Sequence, residues 1–271
     1  MVKNTKEMKV ICACVKGASH KHSGMPCQDQ IKINRVFKSD ITVLAASDGH
    51  GSKYSPYSDE GAKIAVDVFH SVMVRYYKAF KNNMDRYRAF LQKEGSSLIA
   101  DEIEKEWKKR VRKAHRINNR QPVLSSLWQQ YGATLLGLVI TSSFYFAFQV
   151  GDGDIVLLTD GNSCHIINPE KMLGVETYSL SHENVREKAI AVVEQRPCVH
   201  TPHAFMISTD GFANSYPSEE AFLQACCEYY AAINEYGANT VWGLLNSWLD
   251  ETSESGSGDD ISVLIACNDG L

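Results

Sequence analysis

Four short apolar segments follow one another between residues 134 and 167, with no helical segment between them. They cover residues 134–141, 144–150, 155–159 and 163–167 and are rich in β-branched and aromatic residues, a composition that favours β-strands. A regular parallel fold would instead need a crossover of about a dozen residues, usually a helix, between successive strands. The run therefore argues against a simple strand-helix repeat and predicts a mixed, mainly antiparallel sheet system covered by helices.

The remaining strands and helices are predicted on both sides of this run. Further strands are expected at residues 9–15, 41–46, 205–208 and 261–266. Apolar residues at three-to-four-residue spacing predict helices over residues 58–80, 97–116, 182–193, 219–235 and 240–250. The polar stretch 251–258 is predicted as a loop before the last strand. Since no internal repeat or linker is visible, we expect one domain spanning residues 1–271.

Charge and hydropathy exclude several classes of partner. The chain of 271 residues carries 28 basic and 32 acidic side chains and a net charge of −4, so it lacks the overall basic surface that nucleic acids or anionic membranes attract. Its longest apolar runs, 133–140 and 144–148, are far shorter than the roughly 20 residues of a membrane span. We therefore expect a cytoplasmic protein whose eight cysteines are thiols rather than a disulfide framework.

Acidic residues stand at the ends of several predicted strands. Asp48 follows the strand 41–46, Asp152 follows 144–150, Asp210 follows 205–208, and Asp259 precedes 261–266. A single Asp-Gly pair is usually a turn, and that reading explains Asp160 well. Four strand-end carboxylates are better explained by a fold that gathers them around hard cations, which prefer oxygen ligands. The pattern therefore predicts a metal site.

Six short motifs occur in a fixed order along nearly the whole chain: Asp29, Asp48-Gly49-His50-Gly51, Gly132-Ala133-Thr134, Gly151-Asp152, Asp210-Gly211 and Asp259-Asp260. This collinear series resembles that of the metal-dependent protein phosphatases of the protein phosphatase 2C type. The series is much more specific than any one of its members. The resemblance implies an α+β fold, a four-layer α-β-β-α sandwich of two mainly antiparallel sheets flanked by helices, with a metal centre in a cleft at one end.

The same resemblance implies a set of ligands for two Mn²⁺ or Mg²⁺ ions, with a third ion possible. Asp48 would bridge the two ions, the Gly49 carbonyl would bind one of them, and Asp210 and Asp259 would complete the site. Asp29 would act through water or as an outer ligand. Asp152 matches the position that holds the third ion together with Asp210 in many relatives, and the segment 132–134 would be structural.

The implied activity is that of a serine/threonine protein phosphatase, which hydrolyses phosphomonoesters with a metal-bridging hydroxide. His50 resembles the general acid that protonates the leaving alkoxide, a role that suits the pKa of imidazole. The implied partners are a phosphoprotein substrate and a cognate serine/threonine kinase. The segment 168–202 lies where relatives place a variable recognition segment.

The chain departs from the family pattern at the position that grips the substrate phosphate. Relatives often carry an Arg shortly before an acidic pair. This chain instead has Gln28 before Asp29, and residues 19–29 contain no Arg. The positive charge would then come from His20, Lys21 or His22. These departures predict a divergent, prokaryotic branch, and they leave open a catalytically weak or inactive member that uses the same fold as a binding module.

Overall fold

The structure, a computed structural model, describes residues 8–35, 41–80, 83–120, 126–168, 177–198 and 201–268. Ten strands lie in this part of the chain: β1 (Met8–Val15), β2 (Gln30–Arg35), β3 (Ile41–Ser47), β4 (Leu135–Thr141), β5 (Phe144–Val150), β6 (Asp154–Thr159), β7 (Asn162–His165), β8 (Ile190–Gln195), β9 (His203–Ser208) and β10 (Ile261–Asn268). The helices are α1 (Ala18–Ser23), α2 (Ser58–Ala79), α3 (Met84–Glu94), α4 (Leu98–Ile117), α5 (Val185–Lys188), α6 (Asp210–Ala213), α7 (Glu219–Tyr236) and α8 (Ala238–Ser255).

The strands form two five-stranded sheets. The first sheet has the order β1-β10-β9-β6-β7 and the second has the order β2-β3-β4-β5-β8. The pairings between these strands are antiparallel throughout. The predicted α+β class with two antiparallel sheets is therefore confirmed.

Three apolar clusters show how the sheets and helices are layered. Leu44 and Leu138 of the second sheet meet Phe205 and Leu264 of the first in a cluster between the two sheets. The outer face of the second sheet packs against α2, α3 and α4, and the outer face of the first sheet packs against α7 and α8. Both sheets are thus covered on each face, which gives the four-layer sandwich that the sequence resemblance implied.

The alternation of side chains along β3 illustrates why the sequence folds this way. Val43 packs toward the helices and Leu44 packs toward the other sheet, because successive residues of a strand point to opposite faces. Both side chains are fully buried. A strand covered on both faces therefore shows a continuous apolar run rather than an alternating one, as the segment 41–46 does.

Only residues 185–188 of the helix predicted over residues 182–193 are helical in the structure. The structure has the single-turn helix α5 and then the edge strand β8, which pairs with β5 and places Val192 opposite Ala147. The apolar residues of this segment also fit helical spacing, which explains the wrong prediction. Its β-branched residues favour a strand, and they form one by pairing with β5. Within the recognition segment 168–202, residues 169–176 and 199–200 lie outside the described residues.

Other corrections concern elements with weak apolar patterns. The strand β2 lies outside the predicted strands because it has only two apolar residues, Ile31 and Ile33, which pack against the cluster between the sheets. The short helix α1 and the helix α3 were also not predicted. The predicted loop 251–258 begins too early, because α8 continues through Ser255. In the described part of the chain, no helix has the combined length and apolar character of a membrane span.

Gly61 allows α2 to approach the segment that precedes β4. A Cβ atom at this position would lie 1.8 Å from the carbonyl oxygen of Tyr131. The Gly61 carbonyl in turn accepts a hydrogen bond of 3.0 Å from the indole of the fully buried Trp107 on α4. This glycine therefore joins α2, α4 and residues 129–131, next to the backbone that positions His50.

We expect Gly61→Ala to destabilise the protein and Gly243→Ala to stabilise it slightly. Both glycines lie within helices, so each substitution gains about 0.5–1 kcal/mol of helix propensity. At Gly61 the new methyl group meets Tyr131, and overpacking of this kind costs about 1–3 kcal/mol or more, whereas a Cβ at Gly243 meets nothing within 4 Å. Urea unfolding of the two variants measures the difference. Equal stabilities would contradict the close approach of α2.

Candidate metal centre

The acidic residues singled out from the sequence lie at one end of the sandwich. Asp48 follows β3 of the second sheet, Asp210 follows β9 of the first sheet, and Asp152 lies between β5 and β6. Asp29 precedes β2, whose first residue is paired with the last residue of β3. Because neighbouring strands are antiparallel, the ends of β3 and β9 meet the starts of β2, β6 and β10.

The electrostatics show that these carboxyl groups are close neighbours. Burial raises the pKa of Asp48 well above its usual range, and the charges of Asp29, Asp210 and Asp259 raise it further. Burial raises the pKa of Asp210 to about 7, with added contributions from the charges of Asp152 and Asp259. Burial also raises the pKa of Asp259. The structure therefore brings together the five carboxylates predicted as metal ligands.

Asp29 is the most enclosed member of this carboxylate cluster, with only 1% of its surface exposed. One carboxylate oxygen, Oδ2, accepts a hydrogen bond of 2.7 Å from the hydroxyl of Thr209. The other, Oδ1, is buried and has no hydrogen-bond partner among the described residues, and the carboxyl group of Asp48 lies nearby. A buried, unpaired oxygen in a group of carboxylates fits a hard divalent cation such as Mn²⁺ or Mg²⁺.

The backbone around Asp48 is held by the segment 132–134. The Thr134 amide donates to the Asp48 carbonyl at 2.8 Å, and the Asp48 amide donates to the Thr134 hydroxyl at 2.9 Å. The His50 amide donates to the Gly132 carbonyl at 3.1 Å. These bonds fix the direction in which the strand β3 presents its terminal carboxylate, which agrees with the structural role expected for this segment.

Gly49 is required by the packing behind the cluster. A Cβ atom there would lie 2.7 Å from backbone atoms of Ser58 at the start of α2. Its amide donates to the Gln28 carbonyl at 3.2 Å, so the segments that carry Asp29 and Asp48 are directly bonded to each other. A larger residue would separate α2 from this pair of segments.

His50 lies at the solvent-exposed edge of the carboxylate cluster. Partial desolvation by the surrounding protein lowers the pKa of His50, and the nearby His182 lowers it further. The charge of Asp152 acts in the opposite direction. The His182 ring is itself oriented by the Ser179 amide, which donates to Nδ1 at 3.1 Å. The predicted catalytic residues His50 and Asp48 thus belong to one site, and His182 joins them.

Asp260 holds together the segment 17–28, in which a positively charged side chain that binds phosphate is expected. Its carboxylate accepts hydrogen bonds of 2.6 Å from the amides of Gly17 and Gln28, which closes the loop between them. The same carboxylate lies 2.9 Å from Nδ1 of His20. Side-chain ligand atoms of His20, Asp259 and Asp260 all lie within 4.8 Å of one another. The structure therefore places His20 against the carboxylate cluster.

The other two residues proposed for phosphate binding have different partners. Lys21 forms an ion pair of 2.8 Å with Asp250 on α8. The ring of His22 lies 2.6 Å from the Ala18 carbonyl within α1. Of the three candidates, only His20 is brought to the carboxylates.

Several residues that shape the site escaped the sequence analysis. Thr209 holds Asp29, and Thr177 donates a hydrogen bond to Asp152. His182 lies in the segment that was wrongly predicted as a helix, so no signal connected it with His50. Asp260 belongs to the Asp259-Asp260 motif, so the sequence does indicate it. Neighbouring residues of a strand point in different directions, however, and the separate roles of the two aspartates follow only from the backbone structure.

The sequence matches one family of known proteins. The sequence model of the family "Protein phosphatase 2C" matches residues 16–251, a range that contains Asp29, Asp48, Asp152 and Asp210, while Asp259 lies just beyond it. No curated protein matches this chain by sequence.

Several solved structures, a serine/threonine protein phosphatase among them, are similar to this chain in fold. RsbX in complex with magnesium is 14% identical with a TM-score of 0.53, covering 98% of each chain. PppA, a regulatory component of T6SS in Pseudomonas aeruginosa, is 13% identical with a TM-score of 0.58, covering 96% of this chain and 97% of its own. The catalytic domain of the serine/threonine protein phosphatase PstP with two manganese ions is 12% identical with a TM-score of 0.56, covering 96% and 98%. Such low identities confirm the prediction of a divergent branch.

We expect the metal-free protein to lose stability, relative to Asp210→Asn, as the pH rises. The pKa of Asp210 is raised to about 7 in the folded chain, whereas an unfolded aspartate titrates near 4, so between these values the folded state binds the extra proton. This stabilisation is present at low pH and is lost as the pH rises through about 7.

Thermal unfolding in chelator at about pH 5.5 and about pH 8 tests this expectation. The melting temperature of the wild type minus that of Asp210→Asn should fall by several degrees between the two values. Saturating Mn²⁺ should reverse the trend, because metals bind ionised carboxylates. Parallel pH profiles for the two proteins would contradict the raised pKa.

Proposed function

This chain belongs to the protein phosphatase 2C family, and from that premise we propose that it is a metal-dependent hydrolase of phosphoserine and phosphothreonine in proteins. The observation that supports the proposal most directly is the carboxylate cluster itself. At the meeting point of the two sheets, burial raises the pKa of Asp48 and Asp210, and the charges of aspartates from distant parts of the chain raise it further. Their repulsion is offset when divalent cations bind.

The proposed ligands are Asp48 and the Gly49 carbonyl, with Asp210 and Asp259, while Asp29 and Asp152 lie beside them. Divalent ions bound by this set would act as Lewis acids that activate water near neutral pH and neutralise charge on the phosphoryl group. The chain's own contribution is orientation. Thr209 holds Asp29, and Thr134 holds the backbone of Asp48, so the ligands need little rearrangement when a cation enters.

His50 is proposed to donate a proton to the leaving alkoxide of serine or threonine. In the free protein its lowered pKa favours the neutral ring, but a phosphate dianion beside the ring would favour the imidazolium form, as the charge of Asp152 already does. Its place at the open edge of the cluster lets a phosphorylated side chain reach it. A proton positioned there is needed most when the leaving group is a poor one.

The contact to the substrate phosphate is proposed for His20, since it lies beside Asp259 and Asp260. A single imidazole grips a phosphate less firmly than the bidentate guanidinium of an arginine does. The alternative reading follows from the same observation: a member of the family whose grip on phosphate is too weak for turnover would act as a metal-binding interaction module. Turnover of a simple phosphomonoester distinguishes the two.

We expect Asp48→Ala to reduce Mn²⁺-dependent hydrolysis of p-nitrophenyl phosphate and of a phosphothreonine peptide by more than about 100-fold, because it removes a proposed metal ligand. Asp160→Ala is the matched control: it removes an exposed Asp-Gly aspartate from the turn at the far end of β6 and should retain full activity. Mn²⁺ titration calorimetry on the same proteins reports binding separately. Metal binding by the wild type without any turnover would support the interaction module instead.

We expect His50→Ala to slow hydrolysis of the phosphothreonine peptide by about 100-fold or more while leaving p-nitrophenyl phosphate hydrolysis much less affected. The alkoxide of threonine needs a proton to leave, whereas p-nitrophenolate leaves without one. Comparing kcat for the two substrates uses each as the control for the other. Equal losses would remove His50 from the role of general acid.

A further inference from the structure

Two cysteine thiols are in contact directly behind the carboxylate cluster. Cys14 lies on β1 and Cys27 lies in the loop before β2, with their Sγ atoms 3.7 Å apart. Both are free thiols and half-buried. A disulfide bond is about 2.05 Å long, so the two sulfurs would approach each other by about 1.6 Å on bonding. Rotation of the side chains and a small movement of the loop supply a shift of that size.

We propose that Cys14 and Cys27 form an oxidation site at which a hydroperoxide produces an intrachain disulfide. One thiolate attacks an oxygen of the hydroperoxide, the O–O bond breaks, and an alcohol or water leaves while that cysteine becomes a sulfenic acid. The second thiol attacks the sulfenic sulfur, the S–S bond forms, and water leaves. In total two thiols lose two electrons and two protons, and the hydroperoxide is reduced by two electrons.

The neighbours of this pair show what such a bond would act on. The Cys14 and Cys27 thiols both face the carbonyl oxygen of Asp29, at 3.7 Å and 3.9 Å respectively. Oxidation removes both S–H groups from that carbonyl and pulls Cys27, two residues before Asp29, toward β1. The bond therefore acts on the most enclosed carboxylate of the cluster.

The disulfide would also close the loop that carries His20. Asp260 already joins the two sides of this loop through the amides of Gly17 and Gln28. A covalent bond between residues 14 and 27 would add a second closure next to the first. The oxidised protein should therefore resist unfolding more than the reduced protein, because its unfolded chain has less freedom.

Coupling to the metal ligands is the second part of the inference, and it rests on the proposed function. In the reduced protein, Asp29 lies beside Asp48 and has one buried oxygen without a hydrogen-bond partner among the described residues. A shift of the chain at Cys27 moves Asp29 away from that position. The oxidised form should therefore bind Mn²⁺ about 10-fold more weakly than the reduced form, which is the lower end of the effect seen when groups around metal ligands are altered.

Treatment of the whole chain with hydrogen peroxide, followed by thiol alkylation and peptide mass mapping, tests the oxidation site. Two of the eight thiols should become inaccessible, a peptide pair linked through Cys14 and Cys27 should appear, and dithiothreitol should restore both thiols. Cys14→Ser and Cys27→Ser should lose the linked pair. Cys12→Ser, two residues away on the same strand face, should retain it.

The result that would overturn the oxidation site is a wild type that keeps all eight thiols, or one that links different cysteines. Because peptide mapping uses the wild type, this outcome does not depend on whether the serine variants fold. Thermal unfolding gives an independent measure, with a rise in melting temperature of about 5–10 °C on oxidation that is absent in Cys14→Ser.

Mn²⁺ titration of the oxidised and reduced wild type tests the coupling, with peroxide-treated Cys14→Ser as the control. Weaker binding only in the oxidised wild type supports it, and equal binding in a protein shown to contain the disulfide overturns it. If the reduced protein binds no Mn²⁺ at all while the disulfide still forms, the proposed metal-dependent function fails and the oxidation site stands.

Discussion

The confinement of several carboxylates in one partly enclosed space is the constraint on which the rest of this structure depends. Burial raises the pKa of both Asp48 and Asp210, and the charges of neighbouring aspartates raise it further. Such an arrangement destabilises the folded chain unless something else holds it, and here the backbone does so through the bonds between Asp48 and Thr134 and between Thr209 and Asp29. The backbone hydrogen bonds therefore offset the unfavourable free energy of holding the carboxylates together, and the site stays arranged for cations.

Asp259 and Asp260 show how two adjacent carboxylates acquire opposite roles. Asp260 is buried and receives two backbone amides, so its charge is compensated by hydrogen bonds and it serves to close the loop from Gly17 to Gln28. Asp259 is less enclosed than Asp260 and adds its charge to the cluster around Asp48 and Asp210. The strand β10 begins immediately after them, and its alternation sends one side chain into the protein and the other toward the open site. One pair of residues thus supplies both a structural anchor and part of the candidate centre.

The sequence predicted most of the strands because buried strands carry dense β-branched and aromatic runs, as in β4 and β5. It failed where such runs are short or interrupted, as in β2, and where helical and strand spacing coincide, as in β8, whose identity depends on pairing with β5. The candidate ligands were found because an aspartate at a strand end has a fixed place in the fold. Thr209 and His182 were not found, because their roles depend on contacts between distant segments.

The two sheets contribute different ligands, so the geometry of the candidate centre depends on how the sheets pack. Asp48 lies at the end of a strand of the second sheet and Asp210 at the end of a strand of the first. The apolar cluster that contains Leu44 and Leu264 lies between the two sheets. Protein interiors are close-packed, so a change of volume in that cluster shifts one sheet relative to the other. A shift along the sandwich moves Asp48 and Asp210 in different directions and alters the spacing of the oxygens that face the cation. The apolar cluster between the sheets therefore sets the spacing of the candidate metal ligands.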